Sequence, residues 1–179
     1  MRAAAGDREA FGALVQRYQA PLRRLTRAVT GDAHDADDAA QDAFLSALDR
    51  IETYDSSRPF GPWLMRIATN AAIDLVRRRT VRRADALDER APSRTASPAT
   101  DAESAEVRGK LNAALAGLPE RQRVAVTLFD VEGYSHAEIA AVLKIPEGTV
   151  RSDVFHARRA LRVALEAFDP RAGRETEEP

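Results

Sequence analysis

Arg151, Phe155, Arg158 and Arg162 recur at helical spacings along GTVRSDVFHARRALRVAL, with Ser152 and Arg159 flanking them. Arginines in such an array can offer paired hydrogen bonds to guanine N7 and O6, and the stretch just before them fits that use. Ser135 followed by Glu138 is a capping box, Ile139, Val142 and Leu143 mark a short helix, and Pro146 within Lys144–Glu147 forces a turn. A short helix, a tight turn and a longer basic helix make a helix-turn-helix. Within the longer helix, Val150, Val154, Ala157, Leu161 and Leu165 form the opposing apolar face, and four Arg stand against the single acid Asp153. An ordinary helical hairpin is the competing reading, but few hairpins combine these three signals.

A second constellation is FGPWLMRIATNAAIDLVRRRTVRR, Phe60 to Arg83. Arg66, Arg77, Arg78, Arg79, Arg82 and Arg83 face one acid, Asp74. Phosphate contacts by such arginines give sequence-independent affinity through counterion release. Phe60 and Trp63 can wedge or stack against unpaired bases, and Thr69 and Asn70 can bond a base edge. Trp63 also shares a helical register with Ile67 and Ala71, which favours a core position for it.

The third is DADDAAQDAF, Asp35 to Phe44, in which Asp35, Asp38 and Asp42 lie at i, i+3 and i+7 beside Gln41, on the face opposite Phe44 and Leu48. Like charges at these spacings cost roughly 0.2–0.5 kcal/mol per pair, so a basic surface covering the stripe would relieve it. The other reading is a solvated first turn, where the helix dipole favours acids. That argument fades by Asp42 and Asp49.

Catalytic chemistry is not offered. The 179-residue chain has no Cys and only His34, His136 and His156, which excludes a disulfide framework, a thiolate nucleophile and a zinc finger. No nucleophile–base pair, phosphate loop or metal-ligand cluster stands at a usable spacing, so no enzyme activity, small-molecule substrate, cofactor or metal is expected.

The elements that must position these groups are helices throughout. Phe11, Leu14, Val15, Tyr18 and Leu22 share one face, with Pro21 expected to end or kink the helix. After a break at Gly31, Ala40, Phe44, Ala47, Leu48 and Ile51 give a second stripe, and Trp63, Ile67, Ala71 and Leu75 a third. YDSSRPFGP, 54–62, carries the residues of a loop. Residues 84–106 hold no aromatic, Ile or Val and set two Arg against six acids, so they read as a disordered acidic linker. The expected organisation is all-α: a helical domain over 1–83, a flexible linker over 84–106, a second domain with the helix-turn-helix over 107–168, and a disordered acidic tail over 169–179.

The total of 27 Lys and Arg against 28 Asp and Glu, net -1, argues against a uniformly basic nucleic-acid binder, yet the charge is segregated by segment. With 44% hydrophobic and 31% charged residues and a mean hydropathy of -0.40, the composition is that of a soluble globular protein. No apolar run approaches the roughly 18 residues of a membrane span, and the N-terminus lacks a signal peptide's apolar block. A cytoplasmic, nucleoid-associated location is expected, without membrane contact.

Taken in order, the segments resemble the extracytoplasmic-function (ECF) class of bacterial sigma factors, which keep sigma regions 2 and 4. AFGALVQRYQAPLRRLTRAVTGDAHDADDAAQDAFLSAL is similar to regions 2.1 and 2.2, FGPWLMRIATNAAIDLVRRR to 2.3 and 2.4, and LNAALAGLPERQRVAVTLFDVEGYSHAEIAAVLKIPEGTVRSDVFHARRAL to region 4. The resemblance implies that the face of Asp35, Asp38, Gln41 and Asp42 docks on core RNA polymerase, whose beta-prime and beta subunits are expected partners. It implies that Phe60, Trp63, Arg66, Asn70, Asp74, Arg77, Arg78 and Arg79 recognise and open the minus-10 element of promoter DNA without nucleotide hydrolysis. It places Thr149, Arg151, Ser152, Phe155, Arg158 and Arg159 on the minus-35 element, and an anti-sigma factor is a further expected partner. Ala39 and Ala40 replace larger aliphatic residues of the family, and Asp153 and His156 replace arginines, which predicts thinner packing of the docking helix and two lost phosphate contacts. A repressor or activator binding duplex by itself, and a helical adaptor binding only proteins, are the competing classes.

Overall fold

The computed structural model describes residues 7–86 and 102–166, and within them all regular structure is helical. Seven helices follow in order: α1 Arg8–Thr30, α2 Ala33–Asp49, α3 Phe60–Ala86, α4 Ala102–Ala116, α5 Glu120–Val126, α6 His136–Leu143 and α7 Glu147–Glu166. A 3-10 turn at Ile51–Thr53 follows α2, and α5 continues as a π-helical turn over Thr127–Val131. Residues 87–101 of the expected linker and the expected tail lie outside the described residues. Helix α4 starts at Ala102, five residues inside the segment read as linker. Composition there ruled out a core strand or aromatic cluster, but its Ala and Glu are good helix formers.

Local signals set most boundaries. The Asp7 carboxylate accepts the Ala10 N–H at 3.0 Å to start α1, and Gly31, at φ 71°, closes it with its N–H on the Arg27 carbonyl. Of the two outcomes expected at Pro21, an end or a kink, the end is not realised, since Pro21 lies inside α1. The helix runs on because Leu22, Leu25, Thr26 and Val29 beyond it are all buried, and that packing outweighs one missing hydrogen bond.

The inner face of α2 is built of alanine: Ala36, Ala39, Ala40, Ala43 and Ala47 are buried. Ala39 and Ala40 therefore allow close approach of α1 and α3 where larger side chains would hold them apart. Leu48, expected in the core, is exposed. Seven residues after Gln41 it completes nearly two full turns and returns to the acidic side.

Helix α3 is buried on a broad arc, with Leu64, Met65, Ile67, Ala68, Thr69 and Ala72 all covered. The reason is that it packs against α1 and α2 on one side and α6 on the other. As a result the two helical groups share one core: Leu22, Leu25, Leu64, Met65 and Ala72 join Val124, Leu128, Ile139 and Val142 in a single cluster.

Candidate functional site

The acidic stripe divides when folded. Asp35 is half-buried and takes a hydrogen bond and ion pair from Arg79 of α3, while Asp37 is held by Arg23 of α1 at 2.6 and 3.1 Å. The basic cover that the sequence called for is thus partly supplied within the chain. Asp32 caps α2 by accepting the N–H groups of His34 and Asp35 at 2.9 and 3.1 Å, and the Asp35 bond above all holds its carboxyl below the ordinary 3.8. Asp38, Gln41 and Asp42 stay exposed, and alongside them stand Leu45 and Leu48, 53% and 45% exposed. The remaining face is acidic and apolar together, a composition suited to a protein partner.

At the start of α3, Phe60 and Trp63 are half-buried in an aromatic cluster with Tyr18 and Tyr54, at centroid distances of 5.0–5.5 Å. One turn on, Arg66, Thr69, Asn70 and Ile73 line a cleft of about 270 Å³ whose other wall is Glu120, Arg121, Val124, Val142, Leu143 and Lys144. Thr69 is buried and donates to the Met65 carbonyl at 2.8 Å, leaving its hydroxyl committed to the helix. Asp74 and Arg78 are exposed, and Arg77 lies 3.9 Å from Glu120.

The helix-turn-helix forms where the sequence placed it. The Ser135–Glu138 capping box is complete, and Lys144, at φ 55°, is the one described non-glycine residue in the left-handed region. On α7, Thr149 is half-buried, while Arg151, Ser152, Phe155, His156, Arg159 and Arg162 are exposed. Arg151 reaches Glu147 at 2.6 Å along the helix.

Two charges behave differently from the expectation. Asp153 points inward, its side chain 5% exposed, and accepts two N–H bonds from Arg121 of α5 at 2.6 and 3.1 Å. It therefore does not subtract from the outer charge. Arg158 donates twice to Asp130, once at 2.9 Å, and its guanidinium lies 5.0 Å over the Phe129 ring. Hydrogen bonding to these carboxylates raises the pKa of both Arg121 and Arg158.

Long-range charges on the seam between the two helical groups were not foreseen. Arg24 of α1 donates to Glu132 at 2.7 and 2.9 Å, and the Glu132 side chain is only 4% exposed. Arg123 gives N–H bonds to the Val29 carbonyl at 3.0 Å and to Leu118 at 2.9 Å, tying the end of α1 to the turn before α5. Burial lowers the Arg123 pKa, and its Nε is the one buried side-chain polar atom without a partner among the described residues. Tyr134 fills the space beside Gly61, where a Cβ would sit 2.6 Å from its hydroxyl, and burial pushes that phenol's pKa up. Apart from Arg123 on Leu118, none of these pairs has a local spacing, so only tertiary structure shows them.

The chain thus joins a helix-turn-helix region through a shared core to a three-helix region with a basic helix and an exposed acidic face. The sigma-70 region 2 model matches residues 14–82, and the sigma-70 region 4 model matches residues 108–161. The chain is 37% identical over 165 residues to the ECF RNA polymerase sigma factor SigE of Mycolicibacterium smegmatis, covering 89% of this chain and 64% of that one. To SigW of Bacillus subtilis it is 31% identical, covering 89% and 91% of the two chains. To the sigma-E factor of Escherichia coli K12 it is 34% identical, covering 87% and 86%. Among solved structures, CnrH in complex with the cytosolic domain of CnrY aligns with a TM-score of 0.70 at 32% identity, over 93% of this chain and 94% of that one. The chain belongs to the ECF RNA polymerase sigma factors, a family of transcription initiation factors. No described helix is long and apolar enough to cross a membrane.

Proposed function

We propose that the chain is a promoter-specificity subunit, acting in the cytoplasm without catalysis of its own, and that its three faces divide the work. Asp38, Gln41 and Asp42, with Leu45 and Leu48, dock on the beta-prime subunit of core polymerase. Phe60, Trp63, Arg66, Asn70, Asp74 and Arg77–Arg79 meet the minus-10 element, and Thr149, Arg151, Ser152, Phe155 and Arg159 the minus-35 element. Asp35 acts from behind, through Arg79. The observation that carries this reading is the outward face of α7: an exposed apolar ring among exposed arginines on the second helix of a helix-turn-helix, where arginine can pair with guanine and Phe155 can meet a thymine methyl.

The packed seam adds a step. The two elements lie about 25 base pairs apart by their names, roughly 85 Å along B-DNA. A compact chain of this length is only about 40 Å across, so the regions separate on the promoter, and the chain between Ala86 and Ala102 can reach at most about 55 Å. Its likeness to CnrH, solved in complex with the cytosolic domain of CnrY, supports an anti-sigma protein as a further partner.

The test is assembly with purified bacterial core polymerase. A stable complex that starts transcripts at discrete sites supports the proposal; absence of both would overturn it. Strong sequence-specific binding of duplex by the free chain would favour a self-sufficient repressor or activator instead.

A further inference from the structure

Resting on the reading that the outer face of α7 meets DNA, we propose that Asp153 and Arg158 are positioning residues: a pair of oppositely charged stays that fix the rotation of the recognition helix, neither of them touching a base. At 100° per residue, Asp153 lies about 60° to one side of Val150, and Arg158 lies about 80° to the other. Between them runs the buried stripe of Val150, Val154 and Ala157. Apolar contacts of this kind hold a helix against its neighbours but leave its rotation loosely defined, because they have no direction.

Forked ion pairs do have direction. Both stays end on the preceding segment of the same domain: Asp153 on Arg121 in the first turn of α5, Arg158 on Asp130 in the π-helical turn that continues it. Phe129, one residue before Asp130, adds its ring under the Arg158 guanidinium. Turning α7 either way about its axis stretches one fork or the other. With both made, Arg151, Ser152, Phe155, Arg159 and Arg162 occupy the outward arc. Of the four partners only the Asp153 side chain is buried, while Arg158 and Asp130 pair at the surface; paired polar groups have a documented use in fixing register, and here the register is that of the base-reading side chains. Arg158 is thereby reassigned from the minus-35 contact set to its support.

The experiment uses the full chain assembled with core polymerase on a promoter whose start site has been mapped, with promoter affinity measured across a salt series and across single-base changes in the minus-35 element. R159A removes an outward cation, and the expected result is a salt slope shallower by about one and a loss concentrated at particular positions. R158Q is expected to leave the salt slope unchanged and weaken binding by about five- to tenfold, spread evenly over the element, on the scale of one disturbed base contact. D153N should behave like R158Q. The charge swap R158D with D130R should recover affinity to within about threefold of wild type, on the scale of a surface-pair rearrangement.

A salt slope shallower by one in R158Q, or a swap that folds with the wild-type circular dichroism and melting temperature yet fails to recover, would show that Arg158 touches DNA and overturn the proposal. If the swap does not fold, the R158Q and D153N salt slopes still decide. Wild-type transcription that ignores the minus-35 sequence altogether would instead overturn the reading on which the proposal rests.

Discussion

Glu132→Gln should loosen the seam without unfolding either helical group. The Glu132 side chain is 4% exposed and accepts both Arg24 N–H groups, at 2.7 and 2.9 Å. Glutamine keeps the size and one acceptor oxygen but loses the charge, and charge-assisted bonds are roughly twice as strong as neutral ones. Hydrogen bonds to charged groups contribute about 1.5–3 kcal/mol. The Arg24 side chain is 49% exposed, so solvent screening reduces the loss on substitution to about 1–1.5 kcal/mol. The ratio of separated to packed molecules should then rise about five- to tenfold. Because the chain contains no cysteine, spin labels can be attached uniquely at D49C on α2 and V163C on α7, both exposed. Electron–electron distance measurements on frozen samples should show a longer, broader population growing in E132Q. Added salt should have the same effect on the wild type and a smaller one on the variant. An unchanged distance distribution in a variant with intact helical circular dichroism would refute the reasoning.

Asp32→Ala should cost about 1 kcal/mol by removing the α2 cap. Since the folded carboxyl sits below 3.8, its contribution is present above that value and fades as the pH falls through the lowered folded pKa, so wild type and variant should converge in acid denaturation. Lys144→Gly should stabilise the chain by about 0.5–1 kcal/mol, relieving a left-handed residue at the end of α6, and raise the melting temperature by about 2 °C in calorimetry. Leu45→Ala should change stability by less than about 0.5 kcal/mol, because the side chain is half exposed, yet weaken core polymerase binding by about 1–2 kcal/mol in a titration. Asp42→Lys should slow association with core polymerase by about tenfold at low salt, the difference shrinking as salt rises.

The parts of the fold written in short-range code were readable from the chain. The Ser135–Glu138 box, the turn at Pro146 and the break at Gly31 each depend on residues within four positions, and each formed as expected. The error at Leu48 came from treating any leucine near an apolar stripe as core, when the alanines already filled the narrow space between α1 and α3. Pro21 does not end α1 because a helix end is decided by what packs beyond it. Arg79 on Asp35, Arg121 on Asp153 and Arg24 on Glu132 are separated by 44, 32 and 108 residues, so a tally of charges along α2 or α7 could not reveal which were already paired. The two helical domains were legible as separate segments; that the buried faces of α3 and α6 pack against each other was not, because no local spacing announces that contact.

The most direct test is run-off transcription with this chain and core polymerase on one mapped promoter and two derivatives, with the minus-10 or the minus-35 element scrambled. The account predicts a discrete transcript from the intact promoter that needs the chain and is sharply reduced by either change. A transcript indifferent to both elements, or none with the chain present and folded, would contradict it.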